Sequence, residues 1–220
     1  MSGRRLPLVI AVVLVAAACA DEPAEPPVVM PATIEQLTGA WAVQPYLLDP
    51  AIWKRAEDAC RLEIQLPPGT TAILVDARGA GVLTVRMTGQ TAGLCSALQI
   101  LGDGTVVGAG GGWSSGGPEQ IVPAPGRKLV GAERQEVGGG DLKTSGWSVM
   151  GQAGFGIAAV TVDPQGGHPV VQATLMNGWF AAWWPALPGE GDPLAGGAQR
   201  PQVVVRAYDP AGVVVDEIQT

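Results

Sequence analysis

The sequence predicts a mainly β protein with one or two short helices, built as two antiparallel β-rich halves, the C-terminal one a small sandwich. Three observations predict it. The chain carries 32 glycines and 19 prolines in 220 residues, which supplies many turns and leaves little room for long helices. Beyond about residue 61 the apolar residues recur with a period of two, the mark of strands with two different faces. Turn signals such as Asn177-Gly178 separate the apolar runs at hairpin spacing.

Residues 1–18 read as a leader. Arg4 and Arg5 precede an apolar run from Leu6 to Ala18, too short to span a bilayer comfortably and laid out like a secretion signal. Ala16-Ala17-Ala18-Cys19 resembles a bacterial lipobox, with alanine where the usual leucine would stand. The resemblance implies that Cys19 is the lipid anchor, carrying diacylglycerol and, as in such lipoproteins, palmitate. The competing reading is an ordinary signal peptide cut nearby, with Cys19 incidental. The expected location is outside the cytosol, on the outer face of the cell membrane, reached by the general secretion route.

Residues 19–33 read as a stalk. Its four prolines and three acids forbid a helix, and an extended chain of that length reaches some ~40 Å from the membrane. Losing the leader removes two arginines and no acid, which takes the formal charge from −7 to −9. Such a surface is a poor partner for nucleic acid or anionic headgroups. The expected partners are therefore the membrane through its anchor and an envelope protein or small ligand, with no nucleic acid.

The N-terminal α+β half covers 34–113. Thr33-Ile34-Glu35-Gln36 matches a capping box and predicts a helical turn. The clearer helix begins at Asp49, an N-cap followed by Pro50 at the first helical position. Ile52, Ala56, Ala59 and Cys60 fall on its inner face, and Lys54, Arg55, Glu57 and Asp58 on its wet face. Strands are then expected in "RLEIQL", "AILVDA", "VLTVRM", "CSALQIL" and "TVVGA". With Cys19 lipidated, Cys60 and Cys95 remain as a pair in an oxidising compartment. A structural disulfide is expected, against free buried thiols or a redox pair, and the lack of C-x-x-C counts against the last.

Residues 114–146 form a Gly/Pro-rich connection, with one strand expected at 128–130. The C-terminal half, 147–220, offers "WSVMGQ", "GIAAVTVD", "PVVQATLM", "GWFAAWW", "QVVVRAYD" and "GVVVDEI", six strands in a short span. "NGWFAAWWP" puts Trp179, Phe180, Trp183 and Trp184 into six positions. As a strand it sends aromatics to both faces, so it is either central and covered twice or exposed on one side. Burial is the plainer reading. Trp183 or Trp184, next to Pro185, is the one of the four placed to reach the surface, and these two are the candidate contacts for a ligand or partner.

Candidate chemistry is sparse. "GWSSG", 112–116, matches the G-x-S-x-G pattern around Ser114, and Asp141, Asp163 and the sole histidine, His168, follow in hydrolase order. The elbow needs a helix after the serine in an α/β sheet, and Gly117-Pro118 follow instead. "GAGGGW" lacks the Lys-Ser/Thr of a phosphate loop. One histidine cannot build a His-rich metal site, and Asp103 and Asp163 read as turn residues before calcium ligands. No catalytic residue, metal site or cofactor is expected.

"LVDARGAG" (74–81), "GQAGFGIAAVTV" (151–162), "NGWFAAWWP" and "RAYDPAG" (206–212) together resemble an uncharacterised group of secreted or membrane-anchored proteins of high-GC Gram-positive bacteria. The resemblance implies an extracytoplasmic β domain, hints at envelope signalling and supplies no catalytic residues. "VVVRAYDPAGVVVDE" resembles the closing strands of bacterial immunoglobulin-like modules, which implies an immunoglobulin-like C-terminal sandwich. Leu37 to Trp41, "LTGAW", resembles the opening of lipocalin-like barrels. The expected function is non-catalytic binding or sensing by a cell-envelope lipoprotein. The alternatives are a secreted serine hydrolase using Ser114 and His168, or a calycin-like carrier of an apolar ligand.

Overall fold

The computed structural model describes residues 41–47, 49–63, 69–79, 81–88, 91–97, 109–114, 128–137, 146–187 and 201–220. The leader, Cys19, the stalk, the capping box at 33–36, Asp103 and Asp141 lie outside the described residues.

Helix α1 spans Pro50–Glu63. Asp49 caps it as the sequence predicts: its Oδ1 accepts the Ala51 amide at 2.8 Å, and its carbonyl accepts the Trp53 amide at 2.8 Å. Ala56 and Cys60 are fully buried. Two expectations are corrected here. Arg61, Leu62 and Glu63 continue the helix instead of opening a strand, because Arg61 closes an i,i+4 ion pair on Glu57 at 3.0 Å. Glu57 is half-buried, since it also lies 3.6 Å from the buried Arg86.

Twelve strands are described, in three open antiparallel sheets of four. The N-terminal sheet is β1 (Thr71–Arg78), β2 (Gly81–Thr88), β3 (Thr91–Ala97) and β4 (Ala109–Ser114), paired in that order. The next two sheets share the remaining strands, which are β5 (Leu129–Val137), β6 (Gly146–Ala153), β7 (Ala159–Asp163), β8 (Val171–Gln172), β9 (Thr174–Met176), β10 (Trp179–Pro185), β11 (Val204–Tyr208) and β12 (Val214–Gln219). The middle sheet runs β5-β6-β10-β9 and the C-terminal sheet β12-β11-β7-β8.

The run expected as one strand over 169–176 is broken at Ala173. Its first part pairs with β7 and its second with β10, so the chain turns a corner between two sheets. The Ala173 amide is satisfied at the corner by the Val160 carbonyl at 2.9 Å. The strand expected at 128–130 is longer, because β5 continues past a bulge between Val130 and Glu133 and pairs with β6 as far as Val137.

The middle sheet has both faces covered. On one side Trp179, Ala181, Trp183 and Met150 pack against Leu74, Leu83 and Val85 of the N-terminal sheet. On the other, Phe180, Ala182, Trp184, Trp147 and Val149 pack against Val160, Val162, Val205 and Ala207 of the C-terminal sheet. The layers thus stack three deep, with α1 on the outside of the first. The Cys60–Cys95 disulfide, with Cα atoms 6.0 Å apart, ties that helix to β3.

Candidate functional site

The aromatic strand answers first. Trp183 is 3% exposed and Trp184 fully buried, which corrects the expectation that one of these two reaches the surface. Pro185 marks the end of the strand but not the end of its cover, because Pro185 still pairs with Gly146 and a sheet lies on each face. Trp183 faces the N-terminal sheet and Trp184 the C-terminal one. Neither indole N–H has a hydrogen-bond partner among the described residues, so packing sets their orientation there.

The hydrolase residues do not come together. Ser114 ends β4, opposite Ala92 in an antiparallel sheet, whereas the elbow requires a parallel one. His168 sits in another part of the fold, on the rim of the turn after β7, with its ring edge-on to Trp184 at 6.4 Å between centroids. Asp163 accepts the Gln165 amide at 3.2 Å and lies 3.7 Å from the Arg206 guanidinium. It serves its turn and an ion pair. Among the described residues no group of three or more His, Cys, Asp or Glu could hold a metal ion, and no helix is long and apolar enough to cross a membrane.

What the structure does assemble is a strap and a groove. Asp76 and Arg78 sit two apart on β1 and so share its inner face, both fully buried. The guanidinium grips the carboxylate with two bonds, Nε to Oδ2 at 2.7 Å and Nη2 to Oδ1 at 2.9 Å. Its remaining donors reach the carbonyls of Val43 at 2.6 Å, Ala42 at 3.4 Å, and Gln172. Thr174 donates its hydroxyl to Asp76 Oδ1 at 2.6 Å. Burial pushes the Asp76 carboxyl up, while Arg78, Thr174 and the Trp183 backbone pull it back toward the charged form.

This cluster fastens residues 41–47 across the sheets. Trp41 Nε1 donates to the Trp183 carbonyl at 3.1 Å, and the Val43 carbonyl also accepts the Gln172 amide at 3.0 Å. Tyr46 bridges β1 through its amide to Ala77 at 3.0 Å and its hydroxyl to Gly79 at 2.9 Å. So fixed, the strap presents Leu47, 96% exposed, beside the start of α1.

Between strap, helix and β9 lies an apolar groove of about 230 Å³, lined by Tyr46, Leu47, Pro50, Trp53, Val75 and Met176. Trp53 is backed by the buried Arg86, whose guanidinium carbon is 6.0 Å from its ring centroid. Burial lowers the Arg86 pKa and the neighbouring Glu57 raises it again. The volume falls below the roughly 300–1,000 Å³ of pockets that bury a whole drug-sized ligand, and leaves room for a single ring system. It suits protruding apolar groups of something larger.

No family model, curated protein or solved structure matches this chain.

The strap and groove were not among the sequence-predicted sites. A signal for the clamp existed: an acid and a base two apart inside an apolar strand, "LVDAR", must share a face and must both be buried if that face is inward. Nothing in "AVQPYLL" marks the strap, because its placement depends on β1 and β8, remote in sequence.

Proposed function

We propose that this chain is a non-catalytic binding component of the cell envelope. Its first 18 residues direct export, Cys19 carries the lipid anchor, and the β body holds apolar side chains of an envelope partner in the Tyr46–Trp53–Met176 groove. The observation that carries the reading is the groove itself, an exposed apolar concavity with its strap fixed by a buried, fully engaged ion pair. The closed Cys60–Cys95 bridge accords with an oxidising compartment. The resemblance to the secreted high-GC group and of the closing hairpin to immunoglobulin-like modules accords with an extracytoplasmic β domain that binds or senses. The calycin-like reading gains no support, since the described sheets are open and packed on one another.

A naphthylamine probe that fluoresces in apolar surroundings tests the groove. The wild-type chain is expected to bind it saturably, and Leu47→Asp or Met176→Glu to abolish binding while leaving the circular dichroism spectrum unchanged. Identical titrations of wild type and both variants would refute the groove. The anchor is read separately in cells, where Cys19→Ser removes the acyl mass.

A further inference from the structure

Strand β1 ends the N-terminal sheet, and among the described strands β2 is its only partner. Its outer edge meets the strap at one isolated bridge, Tyr46 to Ala77. There the Tyr46 amide donates to the Ala77 carbonyl at 3.0 Å, so Ala77 turns its peptide groups away from β2. An antiparallel ladder alternates residues that bond across it with residues whose N–H and C=O point outward. The register is regular from Leu74 to Arg78, which makes Val75 outward-facing like Ala77. Beyond the bulge, the Ile73 carbonyl is also turned outward, where Asn177 Nδ2 donates to it at 2.8 Å.

The edge is thus closed at both ends and open between them. Tyr46 covers it at Ala77 and Asn177 at Ile73, while the outward N–H and C=O of Val75 are unpaired among the described residues. Val75 lines the apolar groove. So does Met176, from β9, which is itself the last strand of the middle sheet. An apolar small molecule in this groove would exclude water from both Val75 groups and give them nothing to bond, which is costly. A second main chain satisfies donor and acceptor together, as in strand addition to a sheet edge. The residue paired with Val75 shares its face of the sheet, the one packed under α1. Its side chain therefore enters the groove beside Trp53, and its two neighbours point to the opposite face. Closed ends also keep the window short, which blocks the open-ended strand pairing that a long bare edge invites.

We propose that the groove takes an extended polypeptide segment, which pairs one residue with Val75 on the β1 edge and seats that residue's apolar side chain beside Trp53. The inference rests on the groove being the binding site and adds the partner's backbone conformation. It also sets a sequence requirement: one large apolar residue, because the groove of about 230 Å³ holds one such side chain, with flanking side chains free to be polar.

The test displaces the naphthylamine probe from the full chain with a soluble heptapeptide: a central phenylalanine, threonines on both sides and a lysine at each end. The unmodified peptide is expected to release the probe. Methylating the phenylalanine nitrogen removes the N–H that meets the Val75 carbonyl, and is expected to weaken displacement about tenfold. Methylating the next threonine nitrogen, which points away from β1, is expected to change it by less than about twofold. On the protein, Val75→Pro deletes the outward N–H, a change that an edge strand tolerates. That variant is expected to bind the peptide about tenfold more weakly and the naphthylamine as before. Equal displacement by the two methylated peptides overturns the proposal, and so does a peptide that leaves the bound probe in place; the groove reading survives both results. Should Val75→Pro lose its circular dichroism spectrum, the methylated pair on the wild-type chain decides alone. A wild-type chain that binds no naphthylamine removes the groove, and the strand pairing falls with it.

Discussion

The two faces of β10 bury the same kinds of residue against different neighbours. Phe180, Ala182 and Trp184 meet an all-apolar layer of valines and alanines from the C-terminal sheet. Trp179, Ala181 and Trp183 meet Leu74, Leu83 and Val85, and beside them the buried Asp76–Arg78 pair. Apolar burial is non-directional and tolerates repacking. A bidentate ion pair whose other donors reach Val43, Ala42 and Gln172 has one geometry only. The first face supplies cohesion. The second also fixes where the strap lies, and hence where the groove opens.

The largest effect should come from breaking the second face. Arg78→Met leaves the Asp76 carboxylate buried without its partner, and removal of one member of a buried pair costs about 3–5 kcal/mol. Urea unfolding should show a lower midpoint with little change in slope. The double variant Asp76→Leu with Arg78→Met should recover most of that loss, because the orphan charge is gone. It should still weaken probe binding, because the guanidinium that donated to the Ala42 and Val43 carbonyls is gone and only the Trp41, Gln172 and Tyr46 bonds are left to hold the strap. A double variant that binds the probe normally would show that the clamp serves stability alone.

Next in size is the link between α1 and the N-terminal sheet. Cys60 and Cys95 are 35 apart in sequence, and opening a loop of that length should cost about 3–4 kcal/mol in a Cys60→Ser, Cys95→Ser chain. The comparison sharpens if thermal unfolding then shows two steps. The apolar face of β10 should hold the middle and C-terminal sheets together after the helix and N-terminal sheet have loosened, a difference that a single cooperative step would contradict.

How far the sequence shows this architecture differs between elements. The α1 start was legible in Asp49-Pro50, and the Asn177-Gly178 turn in its residue types, because caps and hairpins are set by neighbours in the chain. Asn177 indeed takes φ +54° there. The two-sided cover of β10 was legible as an alternative, since aromatics occupy both parities of the strand. The identity of the covering sheets was not, because period two reports a strand's faces and says nothing about its partners. That is also why the sequence places Trp183 or Trp184 at the surface: Pro185 signals a strand end locally, and only the third layer shows that the end is enclosed. The groove was illegible for the same reason, being made by a strap that crosses from β1 to β8.

The smallest of these effects probes the tryptophan seat. Among the described residues the Trp183 indole nitrogen has no hydrogen-bond partner, so its position depends on shape, and Gly81 at the start of β2 provides that shape: a Cβ there would run into the indole ring at Cζ2 and Cη2. Gly81→Ala should therefore cost about 1–3 kcal/mol as overpacking in a dense interior. The indole cannot swing aside freely, because its backbone carbonyl holds Trp41 at 3.1 Å and Asp76 lies beside it. In a double-mutant cycle, Trp183→Phe should remove most of the penalty of Gly81→Ala, since the smaller ring vacates the contested space. Additive losses would mean that Gly81 is needed for its backbone at the hairpin and that the indole is seated by the rest of the layer.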